Sequence, residues 1–202
     1  MKKLIVLSSV LVIAGSAFAQ GSIGMANTST TLVQYQAAGG DIFPVPPTGG
    51  KVELLWAPLG TIDPSDFNPV ANSIVTINPV AGRFSKSTAV TIPAGSGFTG
   101  IAPGAVVSAI LRGWMGSAPD WNTALLSGNL VGYSSIFQVD TGDTTSVPVG
   151  TPGSLVNSVP GQGFPGLVLV PEPGTTTLFG LGAAAFAFSR RARGARNSGR
   201  RN

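Results

Sequence analysis

The chain has 202 residues and a formal net charge of +4 at pH 7. It contains no cysteine, which excludes a disulfide framework, a thiol nucleophile and a thiolate metal site. It contains no histidine either, so the usual general base and the commonest metal ligand are missing. The excess of basic residues lies at the two ends. Between Gln20 and Val170, four basic side chains stand against seven acidic ones, so we do not expect this part to attract nucleic acid.

The first 19 residues have the three parts of a secretory signal peptide. Lys2 and Lys3 form a basic start, and residues 4–14 (LIVLSSVLVIA) are predominantly apolar. Ala17 and Ala19 make a small-x-small cleavage site. We expect signal peptidase to cut before Gln20, which places the mature chain outside the cytoplasmic membrane. A retained anchor is the alternative, because only the cleavage site argues against it.

Residues 20–170 form the predicted exported domain, and their pattern is typical of β-structure. Val52, Leu54 and Trp56 alternate with polar residues, which is the period of a strand with one buried face. The longest apolar run, residues 105–115, suits a central strand. The predicted strands cover residues 31–36, 51–56, 73–77, 88–92, 105–115, 134–139 and 164–170. Short strands with frequent turn signals predict a single antiparallel β-sandwich or jelly-roll-like domain, long enough to bury a core without disulfides.

One short helix interrupts this pattern. It is predicted over Trp121–Ser127, because Asp120 can cap its first N–H groups and Gly128 suits a left-handed exit. Proline and glycine are dense in residues 147–166, which predicts a loop or linker before the last strand. Residues 167–170 are open to two interpretations, a strand of the domain or the approach to an anchor.

The carboxyl end has three parts in a fixed order. Pro171, Glu172 and Pro173 come first, residues 175–189 (TTTLFGLGAAAFAFS) carry no charge, and six arginines follow within residues 190–202. As a helix, the uncharged stretch would rise about 22 Å, which spans a bilayer only if the bilayer thins and flanking side chains reach its surface. The arginines should then stay cytoplasmic. A buried core helix with a basic end and a nucleic-acid-binding tail are the alternatives.

This order of parts, together with the signal peptide, resembles the PEP-CTERM sorting signal of exported bacterial proteins. The resemblance implies that an exosortase-type enzyme cuts near a processing motif formed by Val170, Pro171, Glu172, Pro173 and Gly174. It also implies that Arg190, Arg191, Arg193 and Arg196 stop the chain in the membrane. Proteins with this tail often accompany extracellular polysaccharide, and that association is implied by the resemblance alone.

Two short motifs resemble known site signatures. Residues 95–100 (GSGFTG) match the glycine pattern of dinucleotide-binding loops, which requires a helix directly after it. Pro103 and Gly104 follow instead, so a plain turn is the preferred interpretation. Residues 140–142 (DTG) match the aspartic-protease triplet, whose chemistry needs two carboxylates that share a proton. One copy would have to dimerise, so a turn is again preferred.

The remaining carboxylates that come in pairs are weak calcium candidates. Asp63 and Asp66, and likewise Asp140 and Asp143, are three residues apart and could place two oxygens on one Ca²⁺ ion. Such pairs are more often solvated turn residues, and no other cofactor is indicated. The same carboxylates could serve glycoside hydrolysis, but the sequence gives no reason to choose two of them.

Aromatic residues could stack on sugar rings. Trp56 and Trp114 lie within apolar runs and are expected in the core, whereas Trp121 is expected to be the more exposed tryptophan. Tyr35 and Tyr133 are further candidates.

These observations predict an exported β-rich protein that acts at the cell surface and is handled through its tail. Its domain is expected to be structural or to bind a ligand such as extracellular polysaccharide, and not to be an enzyme. A secreted carboxylate-dependent hydrolase and a small-ligand carrier are the alternatives.

Overall fold

The computed structural model describes residues 21–92, 101, 104–143, 150–156 and 162–171. In these ranges the chain forms thirteen β-strands and one α-helix, α1 (Trp121–Leu126). The strands are β1 (Gly21–Gly24), β2 (Val33–Gln36), β3 (Ile42–Pro44), β4 (Gly50–Ala57), β5 (Asn68–Pro69), β6 (Val75–Thr76), β7 (Val90–Thr91), β8 (Val106–Met115), β9 (Val131–Tyr133), β10 (Phe137–Asp140), β11 (Gly142–Asp143), β12 (Gly153–Ser154) and β13 (Leu167–Leu169). No helix in these ranges combines the length and hydropathy that a membrane crossing requires.

The longest strands, β4 and β8, form the centre of a six-stranded sheet. They pair antiparallel over eight positions, from Gly50 opposite Met115 to Ala57 opposite Ser108. β10 and β9 pair with β8, while β5 and β6 pair with β4. The inner face of this sheet carries Val52, Leu54, Trp56, Val107, Ala109 and Leu111, as the period-two pattern predicts. The outer face carries Trp114, which packs with α1, and Ile110, which packs with Phe67.

Two smaller sheets complete the β-structure. In one, β1 pairs with β7, β11 and β12; in the other, β2 lies between β3 and β13. The pairs β1–β12 and β2–β13 are parallel, whereas the other pairs are antiparallel. All three sheets contribute to one large cluster of buried side chains, which includes Ile23, Val33, Leu54 and Leu169. The first and last strands of the described chain are therefore both part of the core.

The coarse fold prediction is confirmed: the chain is mostly antiparallel β-structure with one short helix. The predicted central strand is β8, and the predicted helix is α1. The Asp120 side chain caps α1 by accepting a hydrogen bond from the Thr123 N–H at 2.9 Å, and Gly128 has φ +67°. The two parallel pairings and six of the short strands (β1, β3, β5, β9, β11 and β12) were not predicted.

The described parts of residues 147–166, predicted as a loop or linker, contribute a strand and buried side chains to the domain. Gly153 and Ser154 form β12, and the side chains of Leu155 and Phe164 are fully or almost fully buried in the core. A free linker would not bury these apolar groups, so the described part of this segment is a loop of the domain. Leu167–Leu169 is likewise a strand of the domain, which decides between the two interpretations of that stretch.

Candidate functional site

The last described strand, β13, joins the domain core to the carboxyl end of the chain. Leu167 and Leu169 are buried in the core cluster, whereas Val168 between them is partly exposed. β13 pairs in parallel with β2, from Leu167 opposite Val33 to Leu169 opposite Tyr35. Burying two leucine side chains contributes roughly 2–3 kcal/mol each, so β13 is firmly part of the fold.

Two glycines of the six-stranded sheet form the seat on which β13 lies. Gly113 of β8 and Gly132 of β9 are opposite each other. A Cβ atom on Gly113 would come within 2.8 Å of the Leu167 side chain, and one on Gly132 would collide with the Val168 carbonyl oxygen. The sheet thus offers bare backbone where β13 crosses it, which lets the strand approach more closely than side chains would allow.

Among the described residues, Val170 is the last one held by backbone hydrogen bonds. Its N–H donates to the Val131 carbonyl at 2.9 Å, and its own carbonyl accepts from the Val131 N–H at 3.1 Å. The side chain of Val170 is 39% exposed, and Pro171 is exposed. The described chain therefore leaves the sheet between these two residues. We call this point, Val170–Pro171 with its partner Val131, the junction.

A comparison with protein-family profiles matches the PEP-CTERM protein-sorting motif to residues 169–191. The chain carries a PEP-CTERM sorting signal. The matched segment begins at Leu169, which is fully buried, so the PEP-CTERM motif starts inside the fold. This motif marks an exported protein that is anchored in the membrane and then processed by an exosortase. The resemblance identified from the sequence is confirmed. Comparisons with curated proteins and with solved structures gave no match.

Several predicted sorting residues lie outside the described residues. They are Glu172, Pro173 and Gly174 of the processing motif, the membrane stretch 175–189, the stop residues Arg190, Arg191, Arg193 and Arg196, and the cleavage residues Ala17, Ala19 and Gln20. The predicted signal cleavage before Gln20 stays a prediction. It would leave a single residue before β1, whose Ile23 is fully buried. The glycine-rich residues 95–100 also lie outside the described residues.

Asp63 precedes a single 3₁₀ turn on the surface, Pro64–Asp66, and Asp66 is the last residue of that turn. The Asp63 carboxylate accepts hydrogen bonds from the Ser65 hydroxyl (2.7 Å) and from the Ser65 N–H (2.9 Å), which together lower the pKa of Asp63. An ionised aspartate in this position caps the turn. Both residues are exposed. Among the described residues, no three or more acidic, His or Cys side chains are grouped so that they could hold a metal ion.

The triplet at residues 140–142 is built into strands, not into the predicted turn. Asp140 pairs with Val106 at the end of β10, and Gly142 pairs with Ser22 of β1. Between them, the Thr141 hydroxyl donates to the Ala105 carbonyl at 2.8 Å, and Thr141 is fully buried. Asp143 pairs with Gly21 in the next strand position. The expected turn is therefore wrong: this segment connects two sheets through backbone pairing.

The tryptophan predictions have a mixed outcome. Trp56 and Trp114 are 2% and 0% exposed, which confirms their place in the core. Trp121 is the most exposed of the three at 5%, but it too is buried, so the expectation that it lies at the surface was wrong. α1 places its first residue against the sheet, where the Trp121 ring contacts Trp114 in an edge-on arrangement and Tyr133 at 4.8 Å between centroids. Tyr133 is 49% exposed and is the outermost ring of this stack.

An ion pair that the sequence reasoning did not single out supports the same aromatic stack. Glu53 of β4 and Arg112 of β8 are cross-strand partners, and their side chains make an ion pair of 2.7 Å. The Arg112 guanidinium also lies over the Trp121 ring, 5.2 Å from its centroid. Opposite charges on two predicted strands were visible in the sequence, but only the register of β4 and β8 shows that they meet.

The surface depressions on the described residues include three with volumes of about 430, 480 and 380 Å³. Among the described residues that line them, Glu53 is the one carboxylate, and it is already paired with Arg112. The smallest depression is bordered by Tyr133 together with hydroxyl and amide side chains, Thr30, Gln34 and Ser135. We call it the Tyr133 groove.

Proposed function

We propose that this chain is a cell-surface or extracellular-matrix protein whose β-rich domain has a structural or binding role and is delivered by its PEP-CTERM tail. The observation that carries the proposal is the start of the sorting motif within a core strand, at Leu169. Because the motif is continuous with the fold, the domain itself is what the sorting process delivers. Processing then delivers an intact domain, because Leu169 lies before the Pro-Glu-Pro segment.

The sorting part of the proposal is tested by Glu172→Ala. Glu172 precedes Pro173, and the helical region is disfavoured for a residue before proline. We propose that a positively charged site of the enzyme recognises its carboxylate. We expect the variant to keep its tail in cells that carry an exosortase, whereas the wild-type chain loses a carboxyl-terminal fragment. The masses of the two proteins give the result.

Asp66→Ala is the matched control, since it removes an exposed carboxylate outside the motif. Both substitutions should change the free energy of unfolding by no more than about 0.5 kcal/mol. Loss of the same fragment from Glu172→Ala and wild-type protein would show that the enzyme does not recognise this carboxylate.

For the domain, we propose that extracellular polysaccharide is the ligand and that the Tyr133 groove is where it binds. A half-exposed ring held by Trp121 offers a rigid flat surface for the C–H face of a sugar. Thr30, Gln34 and Ser135 supply hydroxyl and amide groups beside it, which suit sugar hydroxyls. The middle part of the chain is mildly acidic, so a neutral polysaccharide fits it better than an acidic one.

Tyr133→Ala is expected to weaken retention on extracellular polysaccharide from the producing cells by about fivefold or more, the loss of roughly 1 kcal/mol. Affinity electrophoresis in gels with and without the polysaccharide measures this. Phe43→Ala is the matched control, because Phe43 is a comparably exposed aromatic residue, 46% exposed, outside the groove. If the polysaccharide slowed the migration of both variants equally, sugar binding would lie outside the Tyr133 groove.

A further inference from the structure

Only a few residues separate the last strand of the fold from the uncharged stretch of the sorting signal. Val170 is hydrogen-bonded to Val131, and the uncharged stretch of the sorting signal begins at Thr175. A chain advances at most about 3.6 Å per residue, so Thr175 lies within about 18 Å of Val170 whatever path it takes. The polar surface layer of a bilayer is itself about 5–8 Å thick. The junction must therefore stay close to the membrane as long as the tail is anchored there.

The strand directions show which end of the domain this is. β13 ends at the junction, and its parallel partner β2 ends beside it at Gln36. Val131 begins β9, which pairs antiparallel with the end of β8 at Trp114. The end of β8 in turn lies opposite the start of β4, at Gly50. These residues and the connections between them form one end of the domain, which we call the carboxyl end. It consists of Gln36, Gly50, Met115, Val131, Val170 and residues 37–42, 46–49 and 116–130.

This end presents apolar side chains to solvent. Leu126, at the last position of α1, is 91% exposed and lies five residues before Val131. Ile42, paired with Gln36 at the start of β3, is 51% exposed, and Val170 is 39% exposed. The opposite end of the central sheet carries Ile62, 84% exposed, in the loop after β4. β4 has eight residues, so the two ends are about 23 Å apart along the strand.

We propose that, in the membrane-anchored precursor, the carboxyl end of the domain lies against the bilayer with Leu126 and Ile42 in its interfacial layer. This inference rests on the anchored precursor of the proposed function. Residues 171–174 form a short tether between the fold and the anchored stretch. This tether holds the domain at a high effective concentration at the lipid surface. Asp41 and Asp120 are exposed at the same end, so anionic lipid would weaken any binding by the domain alone. The contact is thus a property of the uncut chain.

The absence of cysteine makes the test direct, because a single introduced cysteine is the only labelling site. The full-length chain is produced in cells without an exosortase, isolated from membranes and reconstituted into vesicles of phosphatidylethanolamine and phosphatidylglycerol. An NBD fluorophore is attached to Leu126→Cys, to Ile42→Cys or, as the matched control, to Ile62→Cys. We expect the first two probes to emit at shorter wavelength and to be quenched by brominated lipid. The control should give the emission of a water-exposed probe.

A spacer of glycine and serine inserted between Pro171 and Glu172 should return the Leu126 and Ile42 probes to aqueous emission. Water-like emission from both probes in the unmodified anchored chain would overturn the proposal, and so would interfacial emission that persists with the spacer. Sedimentation with the vesicles is measured in parallel. A chain that fails to sediment contradicts the anchored precursor itself, whereas a chain that sediments with aqueous probes contradicts only the orientation.

Discussion

Arg112 contacts a carboxylate and an aromatic ring at once. Its guanidinium pairs with Glu53 at 2.7 Å and covers the Trp121 ring, on which the half-exposed Tyr133 also rests. The side chains of the ion pair are only 17% and 11% exposed, so both charges have lost most of their water. Removing one partner would leave the other charge largely desolvated and unpaired.

Arg112→Ala is therefore expected to lower the free energy of unfolding by about 2 kcal/mol, measured by urea denaturation. The matched control is Arg83→Ala, since Arg83 is exposed and makes one long hydrogen bond to the Asn27 carbonyl, 3.4 Å. That change should cost no more than about 0.5 kcal/mol. Similar losses in the two variants would mean that the pair adds nothing to stability.

The burial of Trp121 shows why the burial of a side chain was harder to predict than the secondary structure around it. The sequence placed it correctly at the start of a helix after Asp120. With six residues, however, α1 has no repeating apolar stripe that would identify its buried face. The sheet decides that face, because Trp114 and Tyr133 provide the surface on which the ring packs. The Glu53–Arg112 pair was missed for a similar reason, since it depends on strand register.

At the level of elements, the seat formed by Gly113 and Gly132 determines how β13 is held. Gly132→Ala should lower the free energy of unfolding by about 1–3 kcal/mol, because the new methyl group meets the Val168 carbonyl oxygen and β13 must shift. Urea denaturation measures the loss, and Gly39→Ala is the control. Gly39 has open space around it, since a methyl group there would come no closer than 3.8 Å to the Asp41 carboxylate. An unchanged stability in Gly132→Ala would show that the strand is not seated there.

The sequence predicted elements whose pattern is local and missed those set by distant partners. β8 was expected over residues 105–115 and forms over Val106–Met115, since a long apolar run suits a central strand that is buried on both faces. β1 has only the sequence Gly-Ser-Ile-Gly, and its strand character comes from pairing with β7, β11 and β12. Its partner Gly153 lies 130 residues further along the chain than Ile23. A pairing over that distance leaves no local signal.

At the level of the whole molecule, the tail decides where the protein stays. Deleting residues 190–202 removes the six arginines that should stop transfer, so we expect the truncated chain to appear in the medium. Immunoblots of membrane and medium fractions measure this. A variant with all six arginines replaced by lysine keeps the charge and should remain in the membrane. Retention of the truncated chain would show that the uncharged stretch anchors the protein without the arginines.

The parallel pairings have a consequence for the order in which the protein can fold during export. β1 and β2 pair in parallel with β12 and β13, so the first two strands require the last two as partners. A chain that emerges amino end first must wait with these strand edges open until residues 153–169 have crossed. The core can form completely only after residues 153–169 have crossed the membrane, and the rest of the sorting signal follows directly after them. Folding of the domain is therefore completed as the sorting signal reaches the membrane.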